Sequence, residues 1–462
     1  MMCLNLLLAM LPVVPAVRSE KITECKLPPE GYRIRVGADG KAQIEAADAA
    51  GRFYAEQTLA QLPKPLKPCE IEDWPEYPFR SVLVDDARLC YGKEGVKKII
   101  DQMAKVKLNV FHWHFTEPGA WRMEVPGYEK VSEKLPQAQR YSRADMKEIV
   151  DYAAARHVRV MPEVEMPGHN DVERAYPEFR HGEPPAFGGV CPANPETIKF
   201  FKAALSEAAA VFPETMIHFG GDEVGYASWK KCPRCQAKMK ELGLQTEADL
   251  QAWFMGVMAD HLKSLGKTPV GWSDMLLTLN EGHMRKNAAG YWTGYGIRRN
   301  LTKDIVINAW YGDWECAGGS GAVAANLGYK VIQYPSNHTY FDHGQGLKGD
   351  MHKYSYTTAL TLRDAYEWNP VSDVRPENRA NVVGVGCANW SEKATDLAAL
   401  EWKLWPRGFA TAEVGWTGAK GRDFAAFEPR ARRLAEAFRK EGVNAAVAES
   451  VDRGKSLGRS GG

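Results

Sequence analysis

The chain reads as an α/β protein, a (β/α)8 TIM barrel preceded by a small truncated α/β domain, and three observations carry that reading. Short β-branched runs alternate with amphipathic helical stretches, as parallel strands joined by helices do. Eight such units span roughly 340 residues, the scale of a barrel with insertions; a doubly wound open sheet has the same local pattern, but the count favours the barrel. Upstream, a proline-rich connector from Leu62 to Pro68 (LPKPLKP) separates these units from a short module of different pattern.

The first apolar segment, Cys3 to Ala16 (CLNLLLAMLPVVPA), is too short to cross a bilayer and is followed by small residues. Residues 1–20 therefore read as a secretory signal and the protein as exported, periplasmic or secreted, although no Lys or Arg precedes the apolar run. Residues 21–75 form the small domain: two alternating strands (YRIRV, AQIEA) split by an Ala-Asp-Gly turn, then an Ala-rich helix from Ala47 to Leu62.

The barrel is expected over residues 76–423. Its strands are Ser81 to Asp85, Asn109 to Phe115, Val158 to Glu163, Met216 to Gly220, Thr268 to Trp272, Ile305 to Ala309, Tyr329 to Gln333 and Val382 to Ala388. Helical patterns between them include Gly95 to Val106, Ala144 to Arg156, Thr197 to Val211 and Ala248 to Leu265. Residues 424–462 hold a last amphipathic helix, Glu428 to Lys440, and a Gly/Ser/Arg-containing tail expected to be disordered.

Composition narrows the partners. With 462 residues, 45% hydrophobic and 25% charged, the chain has the side chains for a substantial core. Its 59 Lys and Arg against 58 Asp and Glu leave no charge excess, so no nucleic-acid partner is expected. No later stretch is apolar enough for a membrane span. Of nine cysteines, Cys3 lies in the opening segment and eight remain, compatible with an oxidising compartment. Cys25 and Cys69 flank the small domain and could staple it. The CPRC pair, Cys232 and Cys235, lacks a second pair of ligands, which favours a local disulfide or two free thiols over a metal.

In a barrel of this kind the loops after the strands' C-terminal ends build the functional face. Those positions carry His112, His114 and Glu117, then Glu163, Glu165 and His169, then Asp222 and Glu223. Further round come Trp272 and Asp274, Trp310, Tyr340 and Asp342, and Trp390 and Glu392. Indole faces pack on the apolar faces of a pyranose, and carboxylates bind its hydroxyls, so the composition points to a sugar. No Walker loop, dinucleotide fingerprint or HExxH pair stands out, so neither a cofactor nor a catalytic metal is expected. The sharpest element is MIHFGGDEV, Met216 to Val224. Its Gly-Gly turn can bend the chain so that adjacent carboxyls take different environments, the usual way to divide acid and base roles.

HFGGDEV, together with RSVLVDDAR (Arg80 to Arg88), KLNVFHWHFTEPGAWR (Lys107 to Arg122), PEVEMPGHN (Pro162 to Asn170), VGWSD (Val270 to Asp274), NAWYG (Asn308 to Gly312), TYFD (Thr339 to Asp342) and ANWSE (Ala388 to Glu392), resembles glycoside hydrolase family 20, the β-N-acetylhexosaminidases. The resemblance spans about Gly31 to Trp416. It implies exo-acting, retaining removal of terminal β-linked GlcNAc or GalNAc, with glycans or oligosaccharides as partners. The nucleophile is the substrate's own 2-acetamido oxygen, an exception to the two-carboxylate scheme. On that pattern Asp222 orients the acetamide and stabilises the oxazolinium intermediate, and Glu223 is the general acid, its proton retained through burial or a neighbouring negative charge. Tyr340 polarises the acetamide and His169 bonds the general acid. Trp272, Trp310 and Trp390 enclose the acetamide and the ring, and Arg80, Asp342 and Glu392 grip hydroxyls.

Three positions depart from the pattern. Glu117, in TEPGAWR, stands for the aspartate behind the histidine, Glu165 for the aspartate before MPGH, and Pro118 removes a backbone N–H from its loop. The two glutamates bear on the support of the site. Each adds a methylene, which implies a repacked or displaced support, and misplacement by an ångström can cost about 100-fold in rate. That motivates the alternative of a non-catalytic or weakly active glycan-binding relative. A further alternative is a relative acting on a disaccharide or a sulfated amino sugar.

Overall fold

Eight parallel strands close into a barrel in the computed structural model, which describes residues 13–19, 26–180, 190–278, 285–286, 292–293, 296–297, 301–312, 319–347 and 356–447. In chain order the barrel strands are Phe79–Asp85, Val110–His114, Arg159–Glu163, Met216–His218, Thr268–Trp272, Val306–Ala309, Val331–Gln333 and Val382–Asn389. Each pairs in parallel with the next, and the eighth returns to the first, with Asn389 opposite Val84.

Period-two alternation sorts the side chains. In VFHWH, Phe111 and Trp113 face outward into the layer under the helices, while Val110, His112 and His114 face the barrel axis. The interior starts apolar, with Phe79, Leu83, Val110, Met161 and Val270, and turns polar toward the strands' C-terminal ends. Glu163, fully buried there, accepts from Trp272 Nε1 at 2.7 Å and lies 2.9 Å from His112 Nε2 and 2.8 Å from His218 Nδ1. These contacts hold Glu163 well below the usual carboxylate range, although burial alone would raise it. This network is the floor on which the site stands.

The small domain is a three-stranded antiparallel sheet, Ala42–Ala46, Tyr32–Val36 and Cys69–Asp73, covered by the helix Ala49–Gln61. Asp48 caps that helix by accepting from Gly51 N–H at 2.8 Å. The third strand, CEIED, follows the proline-rich connector and is not among the strands expected from the sequence. It has one apolar residue, and its register is set by charge, Arg33 facing Glu72 and Arg35 facing Glu70.

Both chain ends pack against the body. Within the segment read as a signal, Val13, Val14 and Val17 are buried, Arg430 donates to the Val13 carbonyl at 2.6 Å, and Ala16 N–H donates to Glu413 at 2.8 Å. Deleting residues 1–19 is expected to cost several kcal/mol at about 1.5–3 kcal/mol per buried side chain, read as a lowered Tm. At the other end the helix is Phe424–Lys440, capped by Asp423, and starts before Pro429 rather than near it. Beyond it Val443, Ala445 and Ala446 are buried and Asn444 N–H donates to Glu401, so 441–447 pack; the rest of the expected tail, 448–462, lies outside the described residues.

Cys232 and Cys235 form no disulfide and meet Cys191 instead. Cys25 lies outside the described residues, and with it the pairing considered for Cys69. No helix among the described residues is long and apolar enough to cross a membrane.

Candidate active site

The loops after the strands' C-terminal ends enclose a cavity of about 330 Å³, at the small end of the roughly 300–1,000 Å³ range of ligand pockets. Asp222 and Glu223 line it from the turn after the fourth strand. Gly220 (φ 70°) and Gly221 (φ 103°) make that turn possible: a Cβ on Gly220 would stand 2.1 Å from Glu165 Oε2, and one on Gly221 2.5 Å from Met275 Cγ. Glu223 itself sits at φ 45°, unusual for a residue with a side chain, with its N–H donating to Asp274 Oδ1 at 3.2 Å. The bend separates the two carboxyls as the sequence implied: the Asp222 side chain is 13% exposed and that of Glu223 57%.

His169 stands between them, its Nε2 3.2 Å from Glu223 Oε2 and 3.5 Å from Asp222 Oδ2. Its Nδ1 lies 2.7 Å from Glu117 Oε1, the carboxylate behind the histidine. The extra methylene of Glu117 is thus accommodated with contact kept. Burial by itself would lower the His169 pKa, but Asp222, Glu117 and Glu223 carry it well above the ordinary value. The imidazolium in turn holds Glu223 below the ordinary carboxylate range through its hydrogen bond, while burial, with Asp274 and Glu223 nearby, pushes Asp222 up to about 7. In the free site burial thus favours the protonated form of Asp222, while the hydrogen bond with His169 favours the ionised form of Glu223.

Glu165 does not support His169. It is buried beneath the turn, 3.4 Å from His114 Nε2, and burial among Asp222, Glu163 and Glu117 raises its pKa well above normal. Trp272 is also below the pocket, 1% exposed, donating to Glu163 and packed 6.1 Å centroid to centroid from Trp390. It supports the wall without lining it.

Arg80 is carried farther from the site than any other predicted contact. It is the second residue of the first strand, about 16 Å from that strand's far end at about 3.3 Å per residue. There it is fully buried, donating to Glu30, the Lys107 carbonyl and the Tyr77 carbonyl, and lying over Trp416, a clamp between the small domain and the barrel base. The arginine at the site is Arg88, from the same RSVLVDDAR string. Its guanidinium contacts Asp85 at 2.9 Å, Glu117 at 3.0 Å and Glu392 at 3.5 Å, and lies 5.4 Å from the Trp390 ring centroid. The rule that singled out the other residues, position just past a strand's C-terminal end, would have chosen Arg88. Asp274 was likewise visible at a strand end; its carboxylate accepts from Trp310 Nε1 and Tyr311 OH, both at 2.7 Å, and so sets the aromatic wall.

That wall is Trp310 stacked on Tyr340 (6.0 Å, 14°), with Trp390 edge-on to Tyr340 at 5.9 Å. Opposite the acids lie Asp342 and Glu392, both lining the cavity. Burial, reinforced by the Glu392 charge, pushes Asp342 up to about 7. A carboxyl raised in the folded state contributes stability that is full below its unfolded pKa and is lost as pH rises through the folded one. Asp342→Asn is therefore expected to raise Tm more at pH 8 than at about pH 4, measured by thermal unfolding.

Comparison with known proteins agrees with this geometry. A model described as glycosyl hydrolase family 20, catalytic domain, matches residues 77–419, and one described as glycosyl hydrolase family 20, domain 2, matches residues 8–74. A β-hexosaminidase of Porphyromonas gingivalis is 31% identical over 88% of this chain, which spans 53%, about half, of that protein's length. One of Akkermansia muciniphila is 30% identical over 88% of this chain and 83% of its own. Among solved structures, a GH20 exo-β-N-acetylglucosaminidase of Vibrio harveyi in complex with N-acetylglucosamine has TM-score 0.75 at 26% identity, covering 91% of this chain and 68% of that one. With a family match over both the small domain and the barrel, this chain belongs to glycosyl hydrolase family 20.

Proposed function

We propose that the protein is an exo-acting, retaining β-N-acetylhexosaminidase that removes terminal β-linked GlcNAc or GalNAc by participation of the substrate's 2-acetamido group. The observation that carries this reading is the convergence of Asp222, His169 and Glu223 in one small pocket walled by Trp310, Tyr340 and Trp390. A small cavity suits a single terminal sugar.

The chemistry follows from the geometry. The acetamide oxygen attacks the anomeric carbon, and the glycosidic bond breaks as Glu223 protonates the leaving oxygen. Asp222 stabilises the oxazolinium as an anion. In the free site burial favours a proton on Asp222 and His169 favours the ionised form of Glu223, so substrate binding is expected to reverse that preference. A bound sugar desolvates Glu223 and raises its pKa, the developing positive charge lowers that of Asp222, and His169 Nε2 lies within reach of both carboxylates. Water activated by Glu223 then opens the oxazolinium with net retention. The contact between Glu117 and His169 favours this reading over a pocket that only binds glycans.

Aryl β-GlcNAc and β-GalNAc glycosides assayed from about pH 4 to about pH 8 test the proposal, with turnover and a β-configured first product by NMR as the expected result. Folded protein that turns over neither glycoside would remove it. A thiazoline that mimics the oxazoline is expected to inhibit far better than GlcNAc itself, and parity between the two would count against acetamide participation.

A further inference from the structure

The loop that carries the acid pair runs directly into a buried cluster of three cysteines that the sugar site does not use. Val224, next to Glu223, packs in one apolar cluster with Cys191, Cys232, Cys235, Trp229, Met239 and Leu250. Cys191 precedes the helix Pro195–Val211, whereas Cys232 and Cys235 bracket the first turn of the helix Pro233–Leu242, with Cys232 as its N-cap. All three thiols are at most 1% exposed.

Their spacing is informative. Cys191 Sγ lies 3.7 Å from Cys232 Sγ and 3.6 Å from Cys235 Sγ, and the three sulfurs fall within 4.8 Å of one another. A disulfide needs about 2.05 Å and would use two sulfurs, stranding the third. Thiolates bound to one tetrahedral zinc at about 2.3 Å stand about 3.8 Å apart, close to what is seen. The surroundings fit as well. The helix N-terminus favours thiolate, the Ala193 N–H bonds the Cys191 sulfur, and Arg234, in the middle of CPRC, donates to the Arg180 carbonyl and fixes the turn.

We propose that Cys191, Cys232 and Cys235 bind zinc through three thiolates, and that this centre ties the segment leaving Asp222 and Glu223 to the segment entering the helix at Pro195. Binding releases the three thiol protons to solvent without any redox step. The site is structural. It touches no sugar-facing residue and acts on the acid pair only by anchoring the chain beyond Val224.

The full chain, expressed with zinc in the medium and purified without chelator, is expected to hold about one zinc per molecule by elemental analysis. The stripped, reduced chain titrated with Co2+ is expected to show thiolate charge-transfer absorption in the near ultraviolet and the strong visible bands of a tetrahedral site, and added zinc is expected to raise its Tm. Cys232→Ser is expected to weaken Co2+ binding by well over about 10-fold, the lower end of what losing an outer partner alone costs. Cys90→Ser, which removes a cysteine outside the cluster, is expected to leave binding unchanged. Should Cys232→Ser fail to fold, the spectrum of the parent chain decides alone. Absence of both bound zinc and the cobalt spectrum, or a disulfide between any two of the three cysteines in peptide mapping, would overturn the proposal.

Discussion

Glu223→Gln is expected to lower kcat by about 10²–10⁴-fold on substrates with poor leaving groups, the usual worth of general acid catalysis. The loss should be smaller on nitrophenyl glycosides, whose leaving group departs without a proton, and Tm should hardly move because the side chain is 57% exposed. Asp222→Asn behaves differently. It removes the anion that the oxazolinium needs, so the loss should be of similar size and independent of the leaving group. The pH dependence carries a sign. In the free protein Asp222 is pushed up to about 7 by burial, so kcat/KM is expected to fall as pH drops through that region unless substrate enters with proton transfer through His169. Comparing the kcat and kcat/KM profiles separates the two cases. Equal losses on both substrate types for both variants would remove the division of labour between Asp222 and Glu223.

The second large effect belongs to Arg88. Replacing it by Ala leaves Asp85, Glu117 and Glu392 without their shared cation, and Asp85 is fully buried. Breaking a buried pair in this way costs about 3–5 kcal/mol. Despite its burial, Asp85 is held well below the carboxylate range by His114 and Arg88, so the variant strands a charge in the interior. Activity should fall as well, because Glu117 would lose the contact that holds it against His169. Arg88→Lys is expected to recover part of the stability and little of the activity, since one ammonium cannot reach three carboxylates in the plane of a guanidinium. Arg80→Met provides the contrast: it should lower Tm and leave KM for the sugar unchanged, as expected of a clamp at the barrel's opposite end. A large rise in KM for Arg80→Met, with none for Arg88→Lys, would reverse the assignment.

The same string shows how far sequence reading reaches. RSVLVDDAR identifies a barrel strand with an arginine at each end, and both arginines look equally suited to binding hydroxyls. Only the strand's direction relative to the pocket separates them. Glu165 shows the same limit, because its place in the motif implies a supporting role without a partner, while its side chain lies beneath the turn, in the space that Gly220 leaves open. Glu117 was legible in kind but not in outcome. Its longer side chain argued for displaced support, yet the 2.7 Å contact with His169 is made.

What the sequence determined by itself is whatever local pattern encodes: the eight strands to within about two residues and the Gly-Gly turn that splits Asp222 from Glu223. What only the tertiary structure decided depends on residues far apart in the chain. Cys191 joins Cys232 and Cys235 across some forty positions, residues 13–19 find a surface made by Glu413 and Arg430, and burial raises the Asp222 pKa while His169 lowers that of Glu223. Proximity across the chain and loss of water are products of packing, and both the pKa values and the metal-binding geometry follow from them.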